Sequence, residues 1–302
     1  MRILRASHLG LCFGVRNAIH LALDHARHEP FALLGPLVHN PTVTARLAAA
    51  GIAQANTPDA LRTRTVMITA HGASERAKAD LALRGFRILE ATCPFVRHAH
   101  DTLLALARAG FHPIVIGQPQ HVEVRGLTGD LDAFDVLLNT DDVDRLAPRP
   151  RFGVIAQTTQ PLERVHRLLE RLRHRFPDSE VQYQDTVCRA TQDRQQAALT
   201  LARQCDVVVV VGGAQSNNTR ELADTCRRHC PRVHALETAA DLCPSWFHPA
   251  DDVGITAGTS TPDDVIDATE RRLLEIAAAS RAPTPEPALA PAAAASADLV
   301  LA

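Results

Sequence analysis

The chain has 302 residues, 46% of them hydrophobic and 22% charged, enough apolar material to bury a sizeable core and too much for a disordered chain. Lys+Arg 32 against Asp+Glu 34 gives a net charge of -2, and with one Trp and one Tyr there is little for bases to stack on, which argues against a nucleic-acid surface. No apolar run approaches the roughly 20 residues of a membrane span, the stretch after Arg2 and Arg5 is too short for a secretion signal, and seven cysteines without a CxxC pair suit reduced thiols in the cytoplasm, or metal binding.

In chain order, MRILRASHLGLC leads to Cys12, and FGVRNAIHLALDHA after it carries apolar residues at helical spacing. FALLG reads as a buried strand ending at Gly35, with His39 four residues beyond, and VMITAHG as a strand ending at His71. A helix and the strand FRILEATC then reach Cys93, and the pattern restarts. Its second passage has the helix PFVRHAHDTLLALARAG with Pro94 suited to a first turn, the strand HPIVIG to Gly117, and His121. GVIAQTT to Thr158 and Thr159 follows, then VQYQDTVC to Cys188. The third runs through RATQDRQQAALTLARQ, DVVVVVG to Gly212, Ser216, and VGITAGTS to Ser260. Cysteine and glycine stand 23, 24 and 24 residues apart in the three passages.

After Ser260 only one good helix follows, Pro262 to about Ala278, so the third passage lacks its Cys-bearing strand. Residues 1–12 are expected to supply it and close the chain into a ring. The expected fold is α/β, with three pseudo-threefold-related units and small, mainly parallel sheets around a central site. The units are 13–93, 94–188, and 1–12 plus 189–279. Residues 280–302, rich in Pro and Ala and without an apolar period, read as a flexible tail.

In parallel α/β units, ligands bind beyond the carboxyl ends of the strands. Such a ring gathers there Cys12, Cys93 and Cys188, then His39, His121 and the Ser216-Asn217-Asn218 turn, then His71, Thr158 or Thr159, and Ser260. One such cysteine alone reads as a small buried residue. Three in register, each at a helix N-terminus expected to lower its pKa, suit a soft metal centre. Three is one short of the four that usually hold a 4Fe-4S cluster, which leaves one iron open to substrate. Cys205, Cys226, Cys230 and Cys243 fall outside the register and read as structural. The His, Ser and Asn side chains make a neutral, donor-rich lining for phosphate or diphosphate. Glu123, two residues after His121, is expected to point the same way on an extended segment and to donate a proton; its plainer reading is a loop residue paired with Arg125.

The stretches LGLCFGVRNAI, LLGPLVHNPTV, ITAHGAS, EATCPFV, GQPQHVEVRG, AQTT, DTVCRATQDRQQA, VVVGGAQSNNTREL and GITAGTSTP resemble, in unbroken order over about residues 1–275, the 4-hydroxy-3-methylbut-2-enyl diphosphate reductases, the IspH or LytB family. The resemblance implies an iron-sulfur oxidoreductase of the non-mevalonate isoprenoid pathway, three α/β domains around one 4Fe-4S cluster, and reductive removal of a hydroxyl from an allylic diphosphate. It implies Cys12, Cys93 and Cys188 as cluster ligands, and His39, His71, His121, Ser216, Asn218 and Ser260, with Asn217 beside them, around the diphosphate. Glu123 becomes the proton-relay acid with His121 near it, and Thr158 the threonine beside the substrate hydroxyl, with Thr159 an ambiguity of one residue. A low-potential donor such as ferredoxin or flavodoxin is implied, with no membrane or nucleic-acid partner. Leu11 and Glu90 depart from the family's usual aromatic and Asp. Two other readings stay open: a quinolinate-synthase-like three-Cys dehydratase, and a non-enzymatic diphosphate- or metal-binding paralogue.

Overall fold

A computed structural model describes residues 1–280; the rest of the expected tail lies outside the described residues. In chain order the elements are β1 (Arg2–Arg5), α1 (Phe13–His25), β2 (Phe31–Leu34), α2 (Pro41–Ala49), β3 (Ala53–Ala55), β4 (Thr65–Ile68), α3 (Glu75–Leu83) and β5 (Arg87–Glu90). There follow α4 (Pro94–Arg108), β6 (His112–Ile116), α5 (Val122–Thr128), β7 (Asp135–Leu137), α6 (Thr140–Asp144), β8 (Arg151–Ala156), α7 (Leu162–Arg175) and β9 (Glu180–Tyr183). The last are α8 (Arg189–Ala202), β10 (Val207–Val211), α9 (Asn217–Arg227), β11 (Arg232–Leu236), β12 (Asp252–Ala257) and α10 (Asp263–Ala279).

The strands form three four-stranded sheets in the orders β3-β2-β4-β5, β7-β6-β8-β9 and β11-β10-β12-β1, and every pairing is parallel. The order is the same each time, and in the third sheet β1 stands where β5 and β9 stand in the others. Its register sets Arg2 against Asp252 and Arg5 against Ile255, and the Arg2 and Asp252 side chains pair at 2.6 Å. The outer strands β3, β7 and β11 carry no apolar run of their own, so nothing in the pattern announces them.

Parallel sheets need cover on both faces, and the alternation of side chains supplies it. In β10, Val207, Val209 and Val211 pack with Val265, Leu273 and Ile276 of α10. Val208 and Val210 face the other way, onto Ala198 and Leu201 of α8 and Leu222 of α9. In β8, Phe152 and Val154 meet α7, while Ile155 meets Leu103 of α4. Each central strand is thereby fixed, and with it the loop at its carboxyl end.

Candidate active site

Cys12, Cys93 and Cys188 are the N-caps of α1, α4 and α8. Each donates its backbone N–H to the residue two beyond the end of its sheet's second central strand: Cys93 to the Ala70 carbonyl at 3.0 Å, Cys188 to Thr158 at 3.1 Å, Cys12 to Thr259 at 3.0 Å. The next residues, His71, Thr159 and Ser260, line one cavity. The three thiols are free and half-buried. Burial pushes the Cys93 and Cys188 thiols up, and the N–H groups of Phe95 and Val96, and the Thr191 side chain and N–H, offset this only in part. The expected lowering by helix N-termini is thus outweighed by desolvation for these two.

A second threefold set begins 28 residues after each cysteine, at the N-caps Asn40, His121 and Ser216 of α2, α5 and α9. In the first unit the cap is therefore Asn40, whose side chain accepts the Val43 N–H at 3.2 Å, and His39 stands one residue ahead of it. The ring centroids of His39, His71 and His121 are 5.4 to 6.0 Å apart. Among the described residues this is the one group of three ligand-bearing side chains close enough for a single ion. The tautomer of His121 speaks against an ion. Its Nδ1 accepts the Glu123 N–H at 3.1 Å, so the neutral ring carries its proton on Nε2 and presents a donor to the cavity. Burial, with the neighbouring rings, holds His71 down to about 3 and His121 to about 4, so both are neutral at physiological pH.

Asn218 Nδ2, Asn217 Oδ1 and the Ser260 hydroxyl are buried at this cavity with no partner. Such groups are costly unless something meets them, and here two of the three can donate. The cavity encloses about 50 Å³, room for a few waters. Between the first and third units, Arg16–Asp263 and Arg46–Asp264 are exposed ion pairs, which contribute little.

Glu123 lies in the second turn-forming position of α5, not on an extended segment, and is 2% exposed. It does not pair with Arg125. Its Oε1 accepts the Thr158 N–H at 2.7 Å. Burial pushes the carboxyl up to about 7, against the hydrogen bonds of Thr158 and the Gln157 side chain. Asn218 holds the corresponding place in α9, 30 residues after its cysteine as Glu123 is after Cys93, and its Oδ1 accepts the Thr259 N–H at 2.9 Å. Where one unit carries a neutral amide, another carries a titratable acid.

The LytB protein family model matches residues 3–274. The 4-hydroxy-3-methylbut-2-enyl diphosphate reductase of Pelobacter propionicus is 36% identical over 278 residues, covering 91% of this chain and 99% of the relative. That of Aquifex aeolicus is 34% identical, covering 91% and 96%. The chain belongs to the LytB family. A solved structure described as the terminal enzyme of the non-mevalonate pathway is 32% identical, with a TM-score of 0.65, over 91% of this chain and all of that one. The reductase structure from Plasmodium falciparum, 24% identical, superposes with a TM-score of 0.84 over 89% and 87% of the two chains, so the three-unit fold is common to both.

In this LytB-family chain, Thr159 holds the register place of His71 and Ser260 and accepts from Asn217 Nδ2 at 3.1 Å. Thr158 instead turns toward Glu123. A larger cavity of about 350 Å³ is also lined by His71, but its Lys78 is already paired with Glu75 and Glu90, and no cysteine lines it. Cys205, Cys226 and Cys230 share an apolar core, with Cys205 and Cys226 pushed up to about 11 and about 12, as inert thiols are. Cys243 is exposed, at the start of the short turn Pro244–Trp246, and its sulfur lies 3.1 Å from the Ser245 hydroxyl.

Proposed function

We propose that this chain reduces 4-hydroxy-3-methylbut-2-enyl diphosphate to isopentenyl and dimethylallyl diphosphate, the last step of the non-mevalonate pathway. The observation that carries the reading is the cavity itself, which is lined by the buried, unpartnered donors of Asn218 and Ser260 and by the buried Glu123 carboxyl. The reaction breaks one C–O bond, takes up two electrons and two protons, and releases water.

Three free, half-buried cysteines at three helix N-caps suit one 4Fe-4S cluster. Their sulfurs do not fall within the spacing of a single ion, whereas a multi-iron group spans more. Held by Cys12, Cys93 and Cys188, the cluster supplies electrons from a low-potential donor such as ferredoxin or flavodoxin and, at the iron without a protein ligand, a Lewis acid. The chain's own residues do the rest. His39, His71, His121, Ser216, Asn218 and Ser260 bind the diphosphate oxygens with neutral donors, and Asn217, which donates to Thr159, stands beside them. Glu123, whose carboxyl burial pushes up to about 7, gives a proton toward the departing oxygen by way of Thr158. No helix among the described residues is long and apolar enough to cross a membrane, and reduced thiols favour a cytoplasmic setting.

The unpartnered donors count against a dehydratase that binds no diphosphate, and burying an acid at 2% exposure is a cost that a mere binding module has no use for. The test is anaerobic reconstitution with iron and sulfide, followed by turnover of the hydroxylated diphosphate with a chemically reduced donor. Close to four iron per chain and both isopentenyl products are expected. Loss of iron from Cys12→Ser, Cys93→Ser and Cys188→Ser but not Cys243→Ser is also expected; equal loss from all four would reject the ligand set.

A further inference from the structure

Arg194, on α8 six residues beyond Cys188, is buried, with 8% exposed. Its guanidinium makes three hydrogen bonds, all to backbone carbonyls: Nε donates to Gly10 at 3.0 Å, Nη2 to Leu11 at 3.1 Å, and Nη1 to Ala190 at 2.9 Å. Among the described residues no carboxylate lies within ion-pair distance of it. The adjacent Asp193 turns outward to Arg189 at 2.8 Å. A buried guanidinium without an anion is costly, and arginine does not escape the cost by losing its proton. Burial works against its charge, and of the acidic groups that oppose this the first are Cys12 and Cys188, ahead of Asp193. The two carbonyls in its fork belong to the residues just before Cys12, so one side chain spans the first cysteine's loop and the third cysteine's helix.

We infer that Arg194 is a positioning residue for the sulfur centre: it fixes Cys12 relative to Cys188 and places one uncompensated positive charge beside them. This rests on the reading of Cys12, Cys93 and Cys188 as ligands of an iron-sulfur group. The charge favours the more negative, reduced form of that group, and the fork holds the Cys12 loop in place.

Arg194→Gln and Arg194→Lys separate the two effects in the anaerobically reconstituted full chain. Gln removes the charge; Lys keeps it but loses the fork. Both variants should release iron to a chelator severalfold faster than the parent. Only Gln should make the centre tenfold or more harder to reduce, a fall in midpoint potential of about 59 mV for a one-electron couple, while Lys stays near the parent value. A Gln variant matching the parent in both measurements overturns the inference, as does loss of the native circular dichroism in both variants, which would make Arg194 a packing residue only. If the parent chain itself takes up no iron, the ligand reading fails first, and the inference falls with it.

Discussion

Thr158 donates its N–H to Oε1 of Glu123 at 2.7 Å, and its carbonyl accepts the N–H of Cys188 at 3.1 Å. One peptide segment therefore joins the buried acid to the base of the helix that carries a sulfur. The matching segment in the third unit joins the amide of Asn218 through Thr259 to Cys12. The amide place is structural in kind: a helix-borne acceptor that satisfies a loop N–H. Glu123 keeps that role and adds a proton.

Glu123→Gln preserves the acceptor and removes the proton. General acid catalysis contributes roughly 10²–10⁴-fold, so single-turnover reduction of the diphosphate should slow by about that factor with ligand affinity unchanged. A rate within about threefold of the parent would leave Glu123 only the role of accepting a loop N–H, which the Oδ1 of Asn218 fills in the third unit.

The same carboxyl makes stability depend on pH. Its folded value of about 7 lies above its ordinary 4.5, so the folded chain holds this proton more tightly than the unfolded one. The contribution is complete below about pH 4.5 and is lost as pH rises through about 7, on the order of 3 kcal/mol in all. Glu123→Gln has no such loss. Urea denaturation should find the variant's advantage over the parent small at pH 5 and larger at pH 8; a constant difference would place Glu123 in contact with water.

The cysteine register, the parallel sheets and the return of β1 to the third unit were legible because each rests on a spacing or an apolar run that chain order preserves. Glu123's helix was not: VEVRGLT is seven residues with two valines and an internal glycine, and β-branched residues read as extended. The direction of the thiol shifts was missed because a helix terminus is visible in sequence and desolvation is not. Arg194 carried no signal at all, since a buried arginine and a solvated one look alike until its acceptors, two of them more than 180 residues away, are known. Asn40 could have been found by counting to the N-cap from the cysteine in place of the glycine.

Ser260 gives a two-sided prediction. Its hydroxyl is buried without a partner, so Ser260→Ala should stabilise the ligand-free chain, by up to about 1–3 kcal/mol. Diphosphate affinity should fall about ten- to hundredfold, as for a lost hydrogen bond to a charged oxygen. Thermal unfolding with and without inorganic diphosphate measures both, and a variant that is destabilised without ligand would mean that the hydroxyl serves the fold.

Gly14→Ala tests the sulfur centre from the side of α1. Alanine is the better helix former by about 1 kcal/mol, yet its methyl would stand 2.6 Å from the Cys93 sulfur. The variant should fold and should retain markedly less iron on reconstitution; full iron content would show that Cys93 has room to move.

Gly213 packs directly against the backbone that carries His39. A Cβ there would lie 2.0 Å from the His39 carbonyl oxygen and 3.2 Å from Asn40 Cα, both backbone atoms that cannot rotate away. Gly213→Ala must therefore push the loop before α2 outward by about 1 Å, which carries His39 off its place beside His71 and His121. Overpacking of this kind costs about 1–3 kcal/mol, and a misplacement of that size can cost on the order of a hundredfold in function. Cys12, Cys93 and Cys188 are held by other carbonyls, so iron content should be unchanged while diphosphate affinity falls at least tenfold. Gly51→Ala is the control: it strains a left-handed backbone, φ +78, at the end of α2 but meets nothing within 4 Å. It should lower stability comparably and leave affinity intact. Equal affinities in the two variants would detach His39 from the packing of the first unit against the third.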